Sequence, residues 1–590
     1  MSVLWSPYKA VGYVTDGKPF LINQLGTETF LMTTIGNAFQ VYKFNKLQVC
    51  LVSRSVANGD NITCFQANGQ DTFVGIGNTI TVFHRASPVR TYSFHEAPIL
   101  GMYQIGKFLI SYDSNNVVSM IDTQKRVLMS KLELLTSAND VTITSFIHPS
   151  TYINKFLIGF SDGSLELWNF NSQKIIYKFK CHLEYLRKNF EVACEEAVDE
   201  YDMQDLLSET ATKKSKAKFS CRVTCIEQSP ACDVVAVGFS TGDILLVQLK
   251  LDAVLFGFQQ DSAVTSLSFR TDSPAGKYPS MASGCADGRV HIWCLGSGDP
   301  NLDSDSDGEE GVGADADGEC VRKLHCTIED GHSAAVSRVH YMPGEPLLVT
   351  SGADNSIRVW VFDSPDGTAR LLRSREGHYG HPSRIRYYGG LTNVSMRDNT
   401  EGTSCEILSC GAGGPAGDSS FRVFNTAIEA QNREVSQKPM LKQLGMQRRN
   451  EQLPPMLSFD LCETRQRDWS NVVSIHQNHS VAYHRVISTT VLKQADWNPR
   501  NDSQVFSGSG SGAARNSTKT TGTHATACCL SACGNFAVIG TKSGLIYKYN
   551  VQSGLARGSF PSTDAAVAGN VRTTVAQIRL RTPGNVLHDK

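Results

Sequence analysis

The residues with the most evident chemical potential sit in two charged tracts. Ser304 and Ser306 lie in Asp299-Pro-Asn-Leu-Asp-Ser-Asp-Ser-Asp-Gly-Glu-Glu310, each with an acid three positions on. Acidophilic kinases use that pattern, and phosphate there would deepen the negative charge offered to a basic partner. The tract has no aromatic residue and repels itself, so a solvated, disordered loop is expected. Asp303, Asp305 and Asp307 before Gly308 have the spacing of a calcium loop, but Ala314 stands where its bidentate Glu belongs. The second tract follows the acidic Glu195 to Glu200 and carries Lys213, Lys214, Lys216 and Lys218. A further basic stretch runs from Lys438 to Arg448 and Arg449. Both basic stretches suit contact with RNA phosphates or a partner protein. The latter lacks aromatic residues, so base stacking is not supported there.

Catalytic and metal-binding patterns fare worse. Cys405 with Cys410, Cys528 with Cys529, and His476, His479 and His484 do not form two ligand pairs at zinc spacing. They read as core cysteines and surface histidines. Gly508-Ser-Gly-Ser-Gly512 lacks the Lys-Ser/Thr of a phosphate-binding loop, and no Gly-x-Ser-x-Gly elbow has strand and helix around it. The scattered Ser, His and Asp residues are explained by turns. No catalytic residue, cofactor site, metal site or small-molecule substrate is assigned, and the chain is not expected to be an enzyme.

The elements that position these tracts are strands. The chain has 590 residues, with 56 Lys plus Arg against 57 Asp plus Glu. A near-zero net charge excludes whole-molecule attraction to nucleic acid and leaves only local contacts. There is no basic leader followed by an apolar run, and no apolar stretch of about 18 residues, so neither secretion nor membrane spanning is expected. The 17 cysteines are therefore read as reduced. Short β-branched and aromatic runs recur between turns of Gly, Asp, Asn and Ser. Ten frames repeat: Phe39–Tyr42, Ile80–Phe83, Val117–Met120, Leu165–Trp168, Ile244–Val247, Val290–Trp293, Ile357–Trp360, Phe421–Phe424, Ser480–Tyr483 and Ile546–Tyr549. Early spacings match the roughly 40–45 residues of a WD-type propeller blade. Turns such as Ser161-Asp-Gly-Ser164 and Ala353-Asp-Asn-Ser356 precede the frames, with residues that accept the primed turns of tight hairpins. Small residues such as Gly159 and Gly238 end the preceding strand, as if to fit a crowded central axis. Gly331-His332 and Gly377-His378 supply the Gly-His pair of WD repeats.

The expected fold is all-β: tandem WD40-type β-propellers, the second incomplete. The first would span 1–375 with inserts at 186–218 and 297–319. A partial second would span 376–590 with a flexible insert at 503–523. The strand around Val11 to Phe20 is expected to seal a ring.

Particular residues carry a closer resemblance. Ser6-Pro-Tyr-Lys-Ala-Val-Gly-Tyr-Val-Thr-Asp16, Leu267-Ser-Phe-Arg-Thr-Asp272, Glu345 through Asp363, Arg384-Ile-Arg-Tyr-Tyr-Gly389, Arg467-Asp-Trp469, Cys533-Gly-Asn-Phe536 and Gln552 through Phe560 resemble the WD repeat-containing protein thirty-six family. That family is the tandem-propeller UTP-B subunit of the small-subunit processome. The resemblance implies a non-catalytic nucleolar scaffold. It implies as partners the other UTP-B subunits, processome proteins, the guide snoRNP and pre-rRNA, in maturation of 18S rRNA. The family's C-terminal helical assembly domain is not found after Phe560. The alternative is a WD-repeat adaptor in another complex, such as a ubiquitin ligase.

Overall fold

The computed structural model describes residues 10–56, 60–134, 141–152, 154–188, 221–272, 280–295, 323–364, 367–388, 406–411, 418, 420–426, 432–435, 454–465, 468–469, 471–477, 482–486, 491–497, 524–542 and 544–561. These residues form strands β1 to β40 in ten four-stranded sheets, each built from strands consecutive in the chain. Each repeat frame falls on the third strand of its sheet. The reason is visible in the register, which shifts between third and fourth strands at the frame's last residue: Tyr42, Phe83, Trp168, Val247, Trp293, Trp360 and Tyr549. A bulge there twists the outer strand away and turns the large side chain inward. Two frames move. In the third sheet the shift falls at Ile121, which is buried where Met120 is only half-buried, so the frame begins one residue later than Val117. In the ninth, the strand is Ala482–Val486.

The turns ahead of the frames differ from the primed type. Positive φ is confined to one turn residue, with Gly163 at 85°, Gly242 at 97°, Gly288 at 96° and Asn355 at 57°. The preceding Asp closes the turn by side chain: Asp162 accepts from the Ser164 amide at 2.9 Å and Asp287 from the Arg289 amide at 3.0 Å. This is the type I turn with a following left-handed residue. Space also excludes other residues, since a Cβ on Gly242 would lie 2.2 Å from the Gln260 carbonyl oxygen. The glycines that end second strands are likewise explained by a neighbour, and the central axis does not enter. A Cβ on Gly159 or Gly238 would stand 2.6 Å from Val223 or Val264, the first residue of the next sheet's inner strand.

Two compact units result, Met1–Glu376 and Gly377–Lys590. In the first, seven sheets run from β1 (Leu21–Leu25) to β28 (Arg370–Glu376). Inner strands of successive sheets lie side by side, as do β17 (Val223–Gln228), β21 (Val264–Phe269) and β25 (Val336–Tyr341). Apolar cores fill the space between the first and second sheets, and so on round to the sixth and seventh. A seventh core joins Phe20, Leu31 and Tyr42 to Met342, Val349, Ile357 and Val359, and so closes the ring. The short helix at 181–188 buries Leu186 in the core between the fourth and fifth sheets, so the insert expected at 186–218 starts beyond that residue.

The seam is not sealed by a strand from 11–20. The whole first sheet comes from the N-terminal side of the chain, and the segment before it docks as a side-chain wedge, with Val14 and Phe20 in the seventh core. Asn355 Oδ1 accepts from the amides of Val14 at 2.7 Å and Thr15 at 3.0 Å, while its Nδ2 donates to the Gly12 carbonyl. Arg338 lies over the Phe20 ring and donates to its carbonyl at 2.7 Å. Arg375 lies over Tyr42 and donates to the Leu47 carbonyl at 3.0 Å.

The second unit holds three sheets among the described residues: β29 (Pro382–Tyr388) to β32 (Arg433–Glu434), β33 (Met456–Leu461) to β36 (Val491–Trp497), and β37 (Ala525–Leu530) to β40 (Ala556–Pro561). Two apolar cores join them. Asp460 ties all three, accepting from Arg386 at 3.2 Å and from the Leu530 amide at 2.8 Å.

Asn355→Gly keeps the turn's backbone freedom but strands two buried amides, each worth roughly 1–3 kcal/mol. A destabilisation of about 3 kcal/mol, read as a lower urea midpoint, is the expected outcome; an unchanged midpoint would mean that the wedge does not close the ring.

Candidate functional site

The sequence candidates lie outside the described residues. Lys213, Lys214, Lys216 and Lys218 fall between the helix at 181–188 and β17, and Ser304 and Ser306 between β23 (Val290–Cys294) and β24 (Lys323–Ile328). Arg448 and Arg449 precede β33. Among the described residues, no group of three or more His, Cys, Asp or Glu could hold a metal ion. His476, expected at the surface, is buried, with Nδ1 2.7 Å from the Pro454 carbonyl oxygen.

What the structure does assemble is hydroxyl, imidazole and carboxylate in series, three times. His332 stands 2.8 Å from Thr350 Oγ1 through Nε2 and 3.0 Å from Asp354 through Nδ1. His95 bridges Ser111 at 2.7 Å and Asp113 at 2.9 Å. His378 bridges Ser409 at 2.7 Å and Asp418 at 3.0 Å. Turns alone do not explain these residues. Each spans an intersheet loop, the second strand and the turn after it. The order matches a nucleophilic triad, but access is missing. Ser111 and Thr350 are fully buried, and Thr350 Oγ1 also accepts from Trp360 Nε1 at 3.1 Å. The sixth sheet runs a variant in which Trp293 Nε1 donates to Ser283, and Ser283 to Gln260, each at 2.8 Å. Repetition and burial, with an indole partner for Thr350 and for Ser283, make these struts that lock loop to strand.

Burial opposes ionisation of Asp354, yet bonds from His332, Ser356 and the Ser333 amide outweigh it and hold the carboxyl down to about 2. Asp418 is likewise held to about 2, against burial, by His378 and Ser420.

Polar side chains also converge on the inner strands of the first unit, where sequence alone identifies none. β9 (Ile99–Ile105), β17 and β25 bring Tyr103, Glu227, Arg338 and His340 within electrostatic reach. Burial pushes Glu227 up to about 7, with Arg338 opposing. Burial and the Arg338 charge bring His340 down to about 4. Arg338 is already bound to Phe20, so the group braces the ring. Only the circular arrangement of blades makes these residues neighbours.

Four-stranded sheets around a closed ring, pinned by His–Asp–hydroxyl networks, one of them completed by Trp360, define a WD40-type β-propeller. The WDR36/Utp21 first beta-propeller matches residues 31–363, and the WDR36/Utp21 second beta-propeller domain matches 398–581. The chain belongs to the WDR36/Utp21 family, with two consecutive propeller domains. Human WD repeat-containing protein 36 is 30% identical over 583 residues, which cover 97% of this chain and 53% of that protein. U3 small nucleolar RNA-associated protein 21 homolog of Schizosaccharomyces pombe is 27% identical over 570 residues, 95% of this chain and 51% of that one. Its Saccharomyces cerevisiae counterpart is 22% identical over 589 residues, covering 96% and 52%. The chain spans about half the length of these curated relatives.

Asp354 and Asp418 have folded values below the ordinary 3.8. Their stabilisation is therefore complete above about pH 4 and is lost as pH falls towards about 2, at roughly 2 kcal/mol each. In Asp354→Asn the melting temperature should be lower at pH 6, and the difference from the parent should narrow by pH 3. A constant difference across that range would remove the carboxylate from the account.

Proposed function

We propose that the chain acts as a non-catalytic scaffold subunit of the small-subunit processome in the nucleolus, supporting pre-rRNA processing and maturation of 18S rRNA. The observation that carries this is the match of two consecutive propeller domains to one family, whose fungal relatives are named for association with U3 small nucleolar RNA. The partners would be UTP-B subunits, other processome proteins, the guide snoRNP and pre-rRNA. The working division is a first propeller over 1–375 and a partial second over 376–590. The scaffold role fits the chemistry: the hydroxyl and carboxylate of each hydroxyl–His–Asp series described above are buried, and the series is spent on holding strands together.

Affinity purification of the tagged chain from cells should recover the guide snoRNA with UTP-B subunits, and depletion should lower 18S rRNA while unprocessed precursor accumulates. Recovery of ubiquitin-ligase subunits in place of the snoRNA, with normal rRNA processing, would overturn the assignment.

A further inference from the structure

The turns of the first unit gather at two ends of its sheets. Within a sheet, the turn after the first strand and the turn after the third lie at the same end and bond to one another. The Arg85 amide donates to the Gln70 carbonyl at 3.0 Å, Thr123 to Lys107 at 2.9 Å and Leu249 to Asp233 at 2.8 Å. Neighbouring first turns also touch, as Asn68 with Gly106 and Thr151 with Asp233. At the opposite end, the turn after the second strand meets the loop entering the next sheet: Ile99 with Gly77, Gln260 with Gly242, His332 with Gly288.

The two ends differ in their bases. The second carries exposed Glu96, Asp162, Asp261, Asp287 and Glu329 beside exposed Arg222 and Arg289, with Arg289 paired to Asp261 and Asp287 and Glu96 to Lys131. The first carries Lys46, Arg85, Lys125, Arg126, Lys174 and Lys250, all exposed and distributed over five successive sheets. None of these six forms a salt bridge among the described residues. Several acids on the same face are already engaged: Glu28 with Lys43, Asp71 with His84, Asp122 with Lys107, Asp252 with Tyr177. The third turns share a conformation that sets how each base projects, since Leu47, Arg85, Arg126, Gln173 and Asp252 all have φ between 47° and 64°.

We propose that this first face binds the phosphate backbone of RNA, without reading its sequence. The inference rests on the scaffold reading above and deepens it by giving the RNA contact a place. Free cations spaced from blade to blade suit a polymer with a regularly charged backbone. Most rings near these turns are covered: Phe108 and Tyr152 lie beneath the amines of Lys107 and Lys155, and Phe44 and Phe170 are buried, while Tyr177, bonded to Asp252, is exposed. Among the described residues, bases therefore find little open ring to stack on.

The test uses the purified 590-residue chain and a fluorescein-labelled RNA of mixed sequence, single-stranded or duplex, followed by anisotropy as salt is raised. Arg85→Glu with Lys125→Glu and Arg126→Glu should weaken binding at least about tenfold. It should also flatten the log–log salt dependence by about two for single strands, at roughly 0.7 for each phosphate no longer neutralised. These residues are exposed, so the melting temperature should hold. Arg222→Glu, at the opposite end beside the Ser240 turn, should leave binding unchanged, whereas Arg126→Glu alone should weaken it. Equal binding by the triple variant overturns the inference, as does an equal effect of Arg222→Glu. Binding of a polyglutamate peptide with no binding of RNA overturns it too, in favour of an acidic protein partner. If the purified chain binds no RNA while the tagged chain still recovers snoRNA from cells, the face inference fails and the scaffold reading stands. RNA binding through this face without snoRNA recovery sinks the scaffold reading and leaves the face intact.

Discussion

A ring must close, and in this chain closure rests on the seam between the first and seventh sheets. Six of the intersheet cores join sheets that follow one another in the chain. The seventh joins segments more than three hundred residues apart, as Val14 and Asn355 illustrate. Loop-closure entropy opposes such a contact, and no shared strand ties the two sheets together. The wedge at 10–20, the Asn355 amide and two arginines over aromatic rings supply what a shared strand would. The inner-strand group of Tyr103, Glu227, Arg338 and His340 depends on the same closure, because Arg338 reaches both the seam and its polar neighbours.

The buried networks illustrate how one arrangement serves two chemistries. Hydroxyl, imidazole and carboxylate in line are a means of activating a nucleophile when open to substrate. In the His332 network the Thr350 hydroxyl is covered, the Trp360 indole occupies one of its lone pairs, and Asp354 also accepts from the Ser333 amide. A buried imidazole with both nitrogens bonded costs little to keep and rigidifies the loop that enters the next blade. That rigidity holds the surface turns in fixed positions, which a scaffold requires of its contact faces.

Charge follows the same geometry. A net charge of −1 suggests an electrostatically bland molecule, yet the turns after the third strands of the first five sheets bring exposed bases to one end of those sheets. The acidic tract lies in the chain between β23 and β24, and the Lys-rich tract before β17.

The sequence by itself determined the class of fold, the ten repeat units seen among the described residues and the position of most third strands, because hydrophobic alternation and left-handed turn residues are local properties. It also carried the family, through motifs such as Gly331-His332 and Ile357–Trp360. Local size, however, misaligned the third frame by a residue, since Met120 and Ile121 are distinguished only by which one the bulge turns inward. Tertiary structure alone decided that Ser111, His95 and Asp113 are a strut, that Gly159 makes room for the next sheet, that 10–20 is a wedge and that basic turns share a face. Each of these depends on contacts between blades or between distant turns of one blade. Such contacts are fixed by radial packing, which no stretch of sequence records.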